Sequence, residues 1–312
     1  MILFSSFSIV IRKENVKPSP QGAVENMLNF IGQDATELNP AEVETKLSME
    51  GESPILMNDE NVLMAFKCGR DMVIFTSKAI LIINKKGITG QKTEFKNIPY
   101  STVVNFSVAS SGFLDRDSEL KLKFPTPWLP KIEQDFRSGN TDIIAILNLI
   151  STKCLGEPGK PSDFANDDNA KHCNPTGLEK LIALISDKHL QDDPRKIEQK
   201  FKTDIPVLQS DETVELAYKC GRDMIIITSK RVMDVDVQGI TGKKVKLKSV
   251  PYKSIKGFSV SSAGPLSLYV KATLYCSKCT GGSMEVDFDK KATNIFEINN
   301  SIANKLLKHT MH

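Results

Sequence analysis

Two cysteine-centred stretches are the first places where chemistry could reside. Lys67-Cys68-Gly69-Arg70-Asp71 recurs as Lys219-Cys220-Gly221-Arg222-Asp223. A thiol flanked by cations can have its thiolate stabilised, which is how reactive cysteines are made. Nucleophilic catalysis also needs a base within reach, and His172, His189, His309 and His312 all lie far from both stretches in the sequence. The two cysteines are therefore read as small residues at a strand end before a β-turn, and no catalytic residue is assigned. Cys276-Ser277-Lys278-Cys279 has the spacing of half a zinc site. No second such pair exists, and His172-Cys173 would complete it only by a fold-back of the chain, so no metal or other cofactor is assigned.

Lysines supply a third possibility. Between Gly242 and Lys256 the chain carries Lys243, Lys244, Lys246, Lys248, Lys253 and Lys256 with no acid. Lys244, Lys246 and Lys248 alternate with Val245 and Leu247, so on a strand they share one face. Such a stripe could meet lipid phosphates, each basic residue contributing about 1 kcal/mol near an anionic surface. Arg222, in the turn after Cys220, joins this candidate lipid-binding set. The competing reading is a solvated strand face on which lysine blunts an edge against aggregation. No aromatic residues interleave with the lysines, so nucleic acid is not indicated. Phe113, Trp128 and Leu129 are apolar residues read as lying in loops, and are candidate contacts for a protein partner.

The elements that must position these residues are written twice. A shift of 152 carries Thr76-Ser77-Lys78 onto Thr228-Ser229-Lys230, Pro99-Tyr100 onto Pro251-Tyr252, and Phe106-Ser107-Val108 onto Phe258-Ser259-Val260. That period is far longer than a solenoid unit of roughly 20–50 residues, so it marks a duplicated domain. The chain has 312 residues and a formal net charge of +3, with an ordinary share of apolar and charged residues. These values suit two soluble domains and are too mild to imply nucleic acid or a membrane by themselves. Six cysteines without a dense framework suit a reducing compartment. Met1–Ile11 is apolar, but Arg12 and Lys13 follow it rather than precede it, so it is not read as a signal peptide. The expected location is the cytoplasm, with peripheral membrane attachment as the alternative.

Each copy opens with helical segments, Ala23–Gly32 and a helix after Asn39-Pro40, then Leu178–Ser186 and a helix after Asp193-Pro194. Asn or Asp before Pro is a helix-start signal. About seven strands follow, and each copy closes with an amphipathic helix carrying Ile143, Ile146 and Ile150, or Ile295, Ile298 and Ile302, on one face. Residues 155–176, rich in Gly, Pro, Asp and Asn, read as a linker, with units at 22–154 and 177–309 and a disordered segment over 1–21. A cut near Pro161 is expected to leave two independently folded halves.

Seven strands and a closing helix, together with Arg222–Arg231, Gly239-Ile240-Thr241-Gly242 and Pro251-Tyr252-Lys253-Ser254-Ile255, resemble the bacterial-type pleckstrin homology (PH) domain. Residues 60–112 resemble it in the first copy. The resemblance implies a mainly β fold with helices (α+β): two tandem PH-like seven-stranded barrels, each plugged by its C-terminal helix and preceded by a short helical extension. It implies no catalytic site. The expected function is a non-enzymatic interaction or adaptor module for a protein partner. The alternative is a peripheral module binding anionic lipid through the second copy. The oligomeric state is left open.

Overall fold

The structure is a computed structural model that describes residues 37–49, 55–86, 92–111, 117–127, 129–137, 141–160, 177–186, 193–239, 242–262, 269–276, 283–289 and 294–310. The expected helix over Ala23–Gly32, the segment 1–21 and most of the linker lie outside those residues. In the first copy β1 (Glu37–Leu38) and α1 (Pro40–Met49) precede β2 (Val62–Cys68), β3 (Asp71–Thr76), β4 (Ala79–Lys86) and β5 (Lys92–Pro99). Then come β6 (Asn105–Ala109), β7 (Asp117–Thr126), β8 (Leu129–Arg137) and α2 (Ile143–Leu155). In the second copy α3 (Lys180–Ser186) and α4 (Pro194–Thr203) precede β9 (Val214–Cys220), β10 (Asp223–Thr228), β11 (Arg231–Gln238) and β12 (Lys244–Pro251). It ends with β13 (Ile255–Ser261), β14 (Tyr269–Cys276), β15 (Ser283–Asp289) and α5 (Ile295–Thr310).

The helix starts follow the sequence signal. Asn39 Oδ1 accepts from the Ala41 N–H at 3.0 Å, and Asp193 Oδ1 accepts from the Arg195 N–H at 3.1 Å. Each cap supplies an acceptor to one of the donors that a helix N-terminus leaves without a partner. Both helices then lie on the outer face of a sheet. Val43 and Leu47 of α1 meet Ala65, Met72, Ile74, Leu81 and Ile83, while the opposite face of the same strands, with Phe66, Val73, Phe75 and Ile80, joins the core under α2. β3 and β4 are thus covered on both sides, which is why they read as nearly unbroken apolar runs rather than alternating ones. In the second copy Ile197 and Phe201 of α4 cover the outer face with Met224, Ile226, Met233 and Val235, and Ile298 and Ile302 of α5 close the inner one.

The strands lie in three open antiparallel sheets, in the orders β1-β2-β3-β4-β5, β8-β7-β6-β12-β11-β10-β9 and β13-β14-β15. Two features correct the sequence reading. No closed barrel is formed among the described residues. The two copies share a sheet, because β6 of the first pairs with β12 of the second, Phe106 opposite Ser249 and Val108 opposite Leu247. One core cluster runs through this seam, from Phe106 and Ile150 to Leu181, Phe201 and Leu247. Separating the halves would expose that apolar surface and two strand edges, so independent folding of each half is not expected.

Candidate functional site

The repeated motifs turn out to be hydrogen-bonding devices. Gly69 and Gly221 take φ values of 62° and 61°, the left-handed turn conformation that glycine adopts without steric cost. The carboxylate two residues on braces the neighbouring strand: Asp71 Oδ1 accepts from the Lys85 N–H at 2.8 Å and Asp223 Oδ1 from the Val237 N–H at 2.9 Å. In Thr-Ser-Lys, the Thr228 hydroxyl donates to Glu212 at 2.7 Å and accepts from the Lys230 and Arg231 N–H groups. Thr76 does the same with Glu60, Lys78 and Ala79. The tyrosine of each Pro-Tyr pair is buried and donates to a threonine carbonyl, Tyr100 to Thr76 and Tyr252 to Thr228, both at 2.9 Å. Burial, with Asp71 and Asp135 adding to it, pushes the Cys68 thiol up to about 12, and burial raises that of Cys220 as well. That direction is opposite to thiolate activation. Cys276 is half-buried, and Cys279 lies outside the described residues. Among the described residues no cluster of His, Cys, Asp and Glu has the makings of a metal site.

The lysine stripe does share a face, and that face meets acid. Lys246 stands opposite Asp236 and Lys248 opposite Asp234 in the β11–β12 ladder. Burial raises the Asp234 carboxyl to about 6, with Lys248 opposing the rise, and burial lowers the Lys248 amine. Lys244, Lys246 and Lys248 are half-buried, while Lys243, Lys253 and Lys256 are exposed. Arg222 donates to the Gly239 carbonyl at 3.1 Å and lines a cleft of about 510 Å³ with Asp223, Asp234, Asp236, Glu285 and Asp287. A single guanidinium among five carboxylates makes that cleft a poor receptor for a phosphate.

Of the partner-contact candidates, Phe113 and Trp128 lie outside the described residues. Leu129 is half-buried in a groove of about 540 Å³ along β5, lined also by Glu94, Phe95, Lys96, Asn97, Phe124 and Thr126. β5 is the last strand of its sheet among the described residues, and Phe95 on it is 44% exposed. Its counterpart in the second copy is β12, whose edge is taken by β6. There Leu247, the counterpart of Phe95, is 0% exposed. The groove in the first copy is therefore the position that a strand already fills in the second.

Arg231 is the residue that sequence reasoning passed over. It is fully buried, with Nε at 2.9 Å from Glu212 Oε1 and Nη2 at 3.0 Å from Oε2. It also donates to Ser151 on α2, to Ser249 and to the Val207 carbonyl, and it lies 5.9 Å from the centre of the Phe106 ring. Ser151 and Phe106 belong to the first copy, so this ion pair sits on the seam. The available signal was a difference inside the repeat, since the counterpart of Arg231 is Ala79 while Glu212 keeps its counterpart in Glu60.

Two PH-like strand sets, each with a closing helix and no assembled nucleophile–base pair among the described residues, define the class to which the comparisons then give a family. The chain belongs to the bacterial PH domain family, whose model matches residues 30–154 and again 184–306. It is 37% identical over 117 residues to the uncharacterized protein YjqA of Bacillus subtilis strain 168, covering 38% of this chain and 93% of that protein. Solved structures similar to it include a protein with a pleckstrin-homology domain from Shewanella loihica, 31% identical. This match covers 40% of this chain and all of that one at a TM-score of 0.34. A pleckstrin homology domain from Shewanella amazonensis is 33% identical, covering 41% of this chain and 98% of its own, at a TM-score of 0.32. Among the described residues no helix is long and apolar enough to cross a membrane.

Proposed function

We propose that the chain is a non-enzymatic adaptor that binds a protein partner as an extended strand along the β5 edge of its first copy. The observation that carries this reading is the contrast between equivalent edges, β12 occupied by a strand and β5 terminal among the described residues, beside the exposed Phe95 and the groove wall of Leu129. In strand addition the main chain of the partner supplies the hydrogen bonds and alternate side chains fill pockets. Phe95, Phe124 and Leu129 give this groove apolar walls, and Glu94 and Lys96 flank them. The organisation in this reading is a segment 1–21, units at 22–154 and 177–309, and a linker at 155–176, in the cytoplasm.

A second reading, attachment to anionic membranes, rests on Lys253 and Lys256, which are exposed three residues apart at the β12–β13 junction, with Lys243 exposed just before β12. It has less support, because Lys246 and Lys248 face Asp236 and Asp234. Peptide display against the full chain tests the first reading. Selected peptides should bind the wild type and lose at least tenfold in affinity to Phe95→Asp, about 1.4 kcal/mol or more. Peptides that bind both proteins equally, together with salt-sensitive sedimentation on phosphatidylserine vesicles, would favour the membrane instead.

A further inference from the structure

Phe7, Ile9 and Ile11 alternate with Ser6, Ser8 and Val10, the period-2 pattern of a strand with one apolar face. β6 is written the same way, with Phe106 and Val108 alternating with Asn105, Ser107 and Ala109. With Phe7 laid on Phe106, Ser8 falls on Ser107 and the β-branched Ile9 on the β-branched Val108. β6 is the strand donated to the accepting edge of β12. There an apolar row crosses the seam, with Val235 opposite Leu247 and Leu247 opposite Val108, all three buried. In the first copy the equivalent row runs from Ile83 to Phe95, and Phe95 is 44% exposed. The row lacks a residue in the place of Val108. On the other face of the seam Ser107 stands opposite Lys248, whose counterpart on β5 is Lys96. An apolar β-prone stretch and an apolar strand edge are each aggregation liabilities when bare, and each would cover the other.

We propose that residues 6–11 of the same chain lie along the β5 edge as a dissociable strap, in the register that β6 takes on β12. Ile9 then stands opposite Phe95, Phe7 opposite Asn97 and Ser8 opposite Lys96. This rests on the reading of the β5 groove proposed above and names what regulates it, because strap and partner compete for the same main-chain groups. The chain is long enough. β1 and β5 are the two ends of one sheet, four strand spacings or about 19 Å apart. Residues 12–36 span about 80 Å when extended, and about 65 Å with the expected helix over Ala23–Gly32. Such a tether holds the segment at a local concentration on the order of a millimolar, so a pairing too weak between separate chains is populated within one. A strap held along one side opens locally, so it protects β5 far less than β6 and β11 protect β12.

Amide exchange and peptide binding on the dilute full chain test it, comparing the wild type with the double variant Phe7→Asp, Ile9→Asp. Both residues precede the described elements, and circular dichroism with a thermal melt checks that the variant is folded. Amides of 92–99 should exchange about tenfold slower in the wild type than in the variant, with 244–251 alike in both. A display-selected peptide should bind the variant about tenfold more tightly, since the competing strand is gone. Equal exchange over 92–99 together with equal peptide affinity overturns the strap, and the groove reading survives that result if the peptide still needs Phe95. Peptides indifferent to Phe95 overturn the groove reading itself, and the regulatory role with it. Protection of 92–99 that rises with protein concentration means that the covering strand comes from another chain, which also overturns the inference.

Discussion

At Arg231 a full positive charge is held out of solvent by Glu212, two serine hydroxyls and the Val207 carbonyl. Taking both ions of such a pair out of water is costly, and removing one partner leaves the other charge buried without compensation. Arg231→Ala should therefore cost about 3–5 kcal/mol, read as a lower midpoint in urea. The Glu212→Gln change in that background should recover part of the loss, because a neutral amide tolerates the site better than an orphaned carboxylate. At this scale the sequence was legible where a residue serves its own turn. Gly69, Asp71, Thr76 and Tyr100 were marked by recurring, and the hydrogen bonds that Asp71, Thr76 and Tyr100 make to Lys85, Glu60, Ala79 and Thr76 lie within a copy. Arg231 was not legible because its partners Ser151 and Phe106 are distant in sequence and lie in the other copy, where no local pattern announces them. The lysine stripe was half legible. Its alternation set Lys244, Lys246 and Lys248 on one face, but Asp234 and Asp236 reach that face only through the register of β11 on β12.

At the scale of elements, periodicity and caps were enough to place α1, α4 and nearly every strand, since each depends on residues next to one another. The closing helix shows the same economy. Ile298 and Ile302 are buried against Tyr218, Phe288 and the inner face of the second copy. Ile302→Asp would set a carboxylate in that apolar site, at a cost of several kcal/mol, on the order of 3 after relaxation. A thermal melt unchanged by the substitution would mean that α5 does not close this core. What the elements alone did not disclose was which strand edges meet. β6 and β13 carry the same Phe-Ser-Val, yet only β6 finds a β12 beside it. A barrel expected from strand count presumes that each copy satisfies its own edges, and the fourth strand of the second copy is satisfied by its neighbour instead.

For the whole molecule, duplication supplies a donor edge and an acceptor edge twice, and the fold uses one of each. Function in this account follows from the β5 edge, where the candidate residue Leu129 lines the groove, while Arg222 lines an acidic cleft. The claim rests on β5 and β12 being equivalent strands in different states, and amide hydrogen exchange on the dilute full chain measures both at once. Peptides spanning 244–251, paired with β11 throughout and with β6 over 246–249, should exchange only through global opening, whereas 92–99, paired among the described residues with β4 alone, should retain amides that exchange orders of magnitude faster. Adding a peptide selected on the groove should slow 92–99 and leave 244–251 unchanged. Equal protection of the two strands in the dilute, unliganded chain would contradict the account, because it would mean either that the β5 edge is already covered or that the β6–β12 seam does not hold.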